Sequence, residues 1–144
     1  MPSFLLVLAL ALGAAQPAAP PGAMRARLSS VPVDIAMQDT IAGLGSATAT
    51  LTGSALTVEG TFKGLKSPAT TVKIFTSAKP GLRGPLVGEF ASGGGTAGTF
   101  KGTLALTREQ AADFAKGLLY VQVQSEKAPD GNLWGWLMAP KGRR

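Results

Sequence analysis

The stretch Leu118–Leu137, LLYVQVQSEKAPDGNLWGWL, restricts the fold more than any other part of the chain. Leu119, Val121 and Val123 alternate with Tyr120, Gln122 and Gln124. Leu133, Gly135 and Leu137 alternate with Trp134, Trp136 and Met138. Period-two alternation sends successive side chains to opposite faces of a strand. Between the two runs stands Pro129-Asp130-Gly131. Proline presets φ, aspartate bonds locally to the backbone and glycine accepts a positive φ. The stretch predicts a β-hairpin with a longish loop at Pro129–Gly131, and it carries both tryptophans and the only tyrosine.

The same alternation recurs upstream. Ala26 and Leu28 alternate with Arg25, Arg27 and Ser29. A further run, Val31, Val33, Ile35 and Met37, contains Pro32, which confines it to an edge or a loop. Ser46–Leu51 reads as a small-residue strand with its threonines on one face, turned by Thr52-Gly53-Ser54. Leu56, Val58, Gly60 and Phe62 oppose Thr57, Glu59, Thr61 and Lys63 in the cleanest amphipathic strand. Strands follow at Thr71–Thr76, Leu86–Ala91 and Thr99–Leu106, with a loop at Lys79–Pro85 and a turn at Gly93-Gly94-Gly95. The pentapeptide GTFKG occurs at Gly60–Gly64 and again at Gly98–Gly102, each copy with phenylalanine expected inward and lysine outward.

One helix is predicted, over about 107–117. Thr107 and Gln110 have capping-box spacing, and Ala111, Phe114, Ala115 and Leu118 fall at helical intervals. Lys116 suits the last turn and Gly117 the C-terminal stop. Many short strands with one connecting helix predict a mostly β fold, an immunoglobulin-like antiparallel β-sandwich or barrel. A parallel α/β fold would need repeated crossover helices.

The apolar run Phe4–Leu12 followed by Gly13-Ala14-Ala15 has the pattern of a secretory signal peptide, cut after Ala15. It departs from that pattern in one respect: the first basic residue, Arg25, comes only after the run. The run falls short of the roughly 20 apolar residues that span a bilayer, so no transmembrane span is expected in the mature protein. Residues 16–24 read as a Pro/Ala-rich linker, 25–139 as the β domain and 140–144 as a basic tail. The expected location is periplasmic or extracellular. The net charge of +6 belongs wholly to the mature part. It serves solubility, or a weak attraction to anionic polysaccharide, phospholipid or nucleic acid; export removes the last of these partners.

The chain has no histidine and no cysteine. Ser-His-Asp and Cys-His arrangements cannot be built, nor can zinc, copper or haem sites that rely on those ligands. Eight carboxylates remain. Glu59 and Glu89 are expected on solvent faces, and Glu109 and Asp113 on the helix surface. Glu126, Asp130 and Asn132, or Asp34 and Asp39, match no calcium loop. No catalytic residue, cofactor or metal is expected. A carboxylate-only hydrolase is the one enzyme class left.

The hairpin resembles the closing motif of the CHRD domain, a module named after chordin and common in exported bacterial proteins. Leu119, Tyr120, Val121, Val123, Pro129, Gly131 and Gly135 carry the likeness. Lys73-Ile74-Phe75, followed by Pro80-Gly81 and Gly84-Pro85-Leu86, resembles a second family segment, and GTLALTREQAADFAKG a third. The likeness covers Ala26–Met138. Histidines that recur in the family would fall at Lys73, Phe75 and Gln124, so this chain lacks whatever those histidines bind elsewhere. The resemblance implies an immunoglobulin-like or related β-sandwich in an extracytoplasmic setting, and in chordin an extracellular antagonist of growth factors.

Two roles follow as expectations. The first is a non-enzymatic exported module with a binding or structural role in the cell envelope or beyond it. The second is recognition of an anionic polysaccharide or a protein through Lys73, Phe75, Tyr120, Trp134 and Trp136. For the Tyr120, Trp134 and Trp136 trio, residue economy favours a structural part, since so few aromatics are present.

Overall fold

The structure, a computed structural model, describes residues 23–32 and 40–139. The signal segment 1–15, linker residues 16–22, the Val33, Ile35 and Met37 alternation with Asp34 and Asp39, and the tail 140–144 lie outside the described residues. Among the described residues, eight strands and one helix follow in the order β1 (Met24–Ser30), β2 (Leu44–Thr52), β3 (Ala55–Lys63), β4 (Ala69–Thr76), β5 (Leu86–Ala91), β6 (Gly98–Ala105), α1 (Arg108–Ala115), β7 (Leu119–Ser125) and β8 (Ala128–Trp136). β1 begins at Met24, the last residue of the stretch expected as linker. Among the described residues no helix is long and apolar enough to cross a membrane.

The strands form one antiparallel sheet ordered β5-β4-β7-β8-β1-β2-β3-β6, curled into a nearly closed barrel. β1 is the strand on which the sheet folds over. Met24–Leu28 pair with β2, while Ser29 and Ser30 pair with Trp134 and Leu133 of β8. The backbones of Arg25 and Met138 exchange two further bonds of 2.8 and 2.9 Å. Gly135 allows this close crossing: a Cβ there would stand 2.3 Å from the Arg27 carbonyl oxygen.

The expected alternation is the observed one. Leu56, Val58 and Phe62 face inward with Leu28, Ala47 and Ala49; Val72, Ile74, Leu119, Val121, Val123, Leu133 and Leu137 meet them from the other half of the sheet. Each fully buried aliphatic side chain contributes about 1.5–3 kcal/mol of transfer free energy. The GTFKG copies are strand partners: Gly60 pairs with Phe100, Thr61 with Thr99 and Phe62 with Gly98. Each phenylalanine lies across from the other copy's glycine, with the rings stacked at 6.5 Å between centroids. Both rings are buried and both lysines exposed.

The helix has its capping box. The Gln110 N–H donates to Thr107 Oγ1 over 3.1 Å, and the Thr107 N–H to Gln110 Oε1 over 2.9 Å. It is shorter than its apolar spacing predicts. Gly117, at φ +77°, takes the left-handed conformation that stops it. Phe114 is buried, but Ala115 is exposed and Leu118 lies past the end.

The closing hairpin differs from its prediction. The turn is the tight pair Glu126-Lys127, and Pro129-Asp130-Gly131 lies inside β8. Val123 pairs with Leu133 and Ser125 with Ala128, so Gln124 alone stands opposite Pro129–Asn132. The glycine and proline serve a bulge. Proline offers no N–H to a ladder, and Gly131 sits at φ +130°. Asn132 ties the bulge down from a fully buried position. Its Oδ1 accepts from Ser125 Oγ at 2.9 Å, and its Nδ2 donates to the Ala42 carbonyl at 2.7 Å.

Candidate functional site: an aromatic face on β4, β7 and β8

Parity puts Lys73 and Phe75 of β4, Tyr120, Gln122 and Gln124 of β7, and Trp134 and Trp136 of β8 on the outer face of the sheet. Register then sets them side by side. Phe75, Tyr120 and Trp136 form one row across three strands, and Lys73, Gln122 and Trp134 the next. All five residues proposed from sequence as partner contacts thus stand together. So do the three positions, Lys73, Phe75 and Gln124, that the family resemblance marked.

The rings touch. Phe75 stacks on Tyr120 with centroids 4.9 Å apart and planes within 13°. Tyr120 meets Trp136 at 4.5 Å and the edge of Trp134 at 5.7 Å, and the two tryptophans meet edge-on at 4.8 Å. Such pairs add about 0.5–1.5 kcal/mol each beyond area burial. Trp134 also packs on a small cluster of Val31, Ile41 and Ala128.

The loop between β4 and β5 fastens to this cluster. The Gly84 N–H donates to Tyr120 Oη at 3.2 Å. Trp136 Nε1 donates to Ser77 Oγ at 2.9 Å, and Ser77 Oγ lies 3.3 Å from the Leu118 carbonyl to which it donates. Arg83 lies 5.3 Å from the centre of the Trp134 ring, and its Nη1 donates to the Asp130 carbonyl at 3.4 Å. Tyr120 is therefore a floor, 1% exposed. Phe75, Trp134 and Trp136 are half-buried and keep an open edge.

The polar end of the face is less complete. Gln124 Nε2 donates to Gln122 Oε1 at 3.2 Å, while the buried Gln122 Nε2 has no partner among the described residues. It is wedged beneath Gly131, where a Cβ would stand 2.7 Å away. Lys73 Nζ lies 3.6 Å from Glu89 Oε2, both side chains partly in solvent, a pair of small energetic worth.

Sequence reasoning missed Arg83, Ser77 and Gly84, because nothing local shows that a loop folds back over the sheet. The other acidic residues are where they were expected: Glu59, Glu89 and Glu109 are exposed and Asp113 is half-buried. Of the calcium candidates, Asn132 is committed to the bulge and Glu126 and Asp130 are exposed, while Asp34 and Asp39 lie outside the described residues.

A family model for the CHRD domain matches residues 24–137. No curated protein and no solved structure matches the chain. The match runs from the first residue of β1 to the residue after β8 and takes in the barrel, its helix and the aromatic face alike; the chain belongs to the CHRD domain family.

Proposed function

We propose that this protein is an exported, non-enzymatic CHRD module that binds or structures a component of the cell envelope or of the space outside the cell. One observation carries the reading: the polar ends of the aromatic cluster are engaged within the protein. Tyr120 Oη accepts from Gly84, and Trp136 Nε1 donates to Ser77. What the face presents outward is a shaped edge of half-buried rings flanked by Lys73 and Arg83, suited to recognition rather than to bond-breaking. The apolar run Phe4–Leu12 and the small residues after it support export.

The test has two parts. The full gene product, expressed with its own N-terminus, should leave the cytoplasm and begin at Gln16 by mass spectrometry. The purified protein, offered panels of envelope polysaccharides and surface proteins, should bind saturably and leave the ligand chemically intact. Turnover that disappears in a single carboxylate variant such as Glu89→Gln would sink the non-enzymatic reading.

A second reading is a protein partner seated on the aromatic edge itself. The stacking of Arg83 on a half-exposed Trp134 favours it, since tryptophan and arginine concentrate interface energy. Lys73→Ala should then weaken that partner's binding without lowering the melting temperature, and Arg83→Ala should weaken it with only the small stability loss of an exposed contact.

A further inference from the structure

The outer face of β1, β2, β3 and β6, which adjoins the aromatic face where β1 meets β8, has a different chemistry. Pairing aligns Arg25 with Thr48 and Glu59, and Arg27 with Ser46 and Thr61; Lys63 stands beside Leu44. β6 adds Thr99, Lys101 and Thr103. The face is a sheet of hydroxyls crossed by four cations and one carboxylate, with no aromatic ring among its outward residues. Glu59 is answered by Lys101 at 3.9 Å. Arg25, Arg27 and Lys63 are exposed and have no ion-pair partner among the described residues.

These three cations border one groove of about 680 Å³ whose lining also includes Ser46, Thr48 and Thr61. A neighbouring groove of about 490 Å³ shares those three hydroxyl residues and continues to Thr99 and Lys101. Together they run across all four strands. The backbone beneath is stiff: Arg25 pairs with Thr48 on one side and exchanges hydrogen bonds with Met138 on the other. The strand that carries this charge is thus fixed on both sides, while the exposed side chain itself orders only on binding.

We infer that this face docks an acidic polysaccharide, a polymer whose carboxylates meet Arg25, Arg27 and Lys63 while its hydroxyls bond to Ser46, Thr48 and Thr61. The inference rests on the binding-module reading above and adds to the aromatic face a second surface with its own ligand class. Charge complementarity selects an anionic occupant. The hydroxyl lining selects a polyol. A single-stranded nucleic acid would call for rings on which bases stack. A membrane surface would call for an apolar belt, and among the described residues this face offers only Leu44 and, beside Arg25, Met138 as exposed large apolar side chains.

The experiment is equilibrium binding of the purified full chain to alginate, a polyuronate, with neutral dextran, oligo-dT and phosphatidylglycerol vesicles run alongside. Alginate should bind, dextran should not, and added salt should weaken binding steeply. The triple variant R25Q/R27Q/K63Q should lose about tenfold in affinity with its melting temperature unchanged, since all three side chains are exposed. E59Q should tighten binding by removing the one opposing charge. Neutralising the tail as K141Q/R143Q/R144Q should leave affinity in place. Preferential binding of oligo-dT or vesicles would overturn the ligand class. Loss of alginate binding in K73Q/R83Q but not in the triple variant would overturn the location and leave the binding-module reading standing. An absence of alginate binding would overturn the inference and leave the module reading to its own test of export and of binding to the wider panel.

Discussion

The ring of Phe90 on β5 lies directly over Gly102 on β6, with its carbons 2.3–2.7 Å from where a Cβ on that glycine would be. Leu104 on β6 covers Gly88 on β5 in the same way, at 2.9 Å. β5 and β6 are the two ends of the strand order and share no ladder. The barrel is closed there by two side chains laid over two glycines instead of by backbone hydrogen bonds.

Gly102→Ala should therefore displace a ring that has little room to move, and cost about 1–3 kcal/mol of stability. Gly88→Ala should cost less, because the atoms it meets are the mobile methyl ends of Leu104. Gly94→Ala, with nothing within 4 Å, serves as the control and should change stability by no more than about 0.5 kcal/mol. Urea denaturation of the three variants measures all of these; equal midpoints would mean the seam is not closed this way.

At the aromatic face, Trp136→Ala should lower stability by about 2–3 kcal/mol, less than the 3–5 kcal/mol of a fully buried aromatic. The ring is half-buried, touches Tyr120 and Trp134, and holds Ser77. Tyr120→Phe keeps the stack and removes only the acceptor of the Gly84 N–H, a loss of about 0.5–1.5 kcal/mol. Thermal melts monitored by tryptophan fluorescence separate the two. An unchanged melt for Trp136→Ala would return that residue to the role of an exposed contact.

Asn132 bridges the β8 bulge to Ser125 and to the Ala42 carbonyl from a fully buried position. Asn132→Ala leaves both partners unsatisfied and should cost about 2–4 kcal/mol, the desolvation penalty of two buried groups. Hydrogen exchange should show the loss first around residues 125–133. Uniform loss across the barrel would contradict a local clasp.

Thr107→Ala removes the acceptor that caps α1 and should cost about 1 kcal/mol. Thr107→Ser should restore most of it, since serine keeps the hydroxyl. Circular dichroism during chemical denaturation reads both; a Thr107→Ser variant as weak as Thr107→Ala would mean that the methyl group matters and the hydrogen bond does not.

The strand parities could be read from residues alone, because alternation is a local property. Leu56, Val58 and Phe62, or Leu133 and Leu137, have no other way to leave water together. The helix cap was legible for the same reason, through two residues three apart. The position of the closing turn was not. Pro129-Asp130-Gly131 has good turn chemistry, yet Glu126-Lys127 makes the turn. The buried bonds of Asn132 and the paired rows on either side of the bulge outweigh local preference.

The site followed a similar division. That Lys73 shares a strand face with Phe75, and Trp134 with Trp136, was in the alternation; that this face is the outer one was not. That they form two adjacent rows depends on register between β4, β7 and β8. The folding of the loop around Arg83 and Gly84 onto them depends on contacts between residues 36 and 47 positions apart. The GTFKG repeat was visible as text, but only strand pairing shows each copy's phenylalanine opposite the other's glycine.

By itself the sequence determined the mostly β architecture, which residues share a strand face, the capped helix and the absence of histidine and cysteine chemistry. These depend on side-chain type and near-neighbour spacing. Only the tertiary structure decided that the sheet folds over at β1, that paired glycines seal its seam, that Tyr120 is buried beneath its neighbours, and that Arg25, Arg27 and Lys63 share a groove. Each of those depends on register between strands distant in the chain. That register is set by which buried side chains pack together, and no local periodicity encodes it.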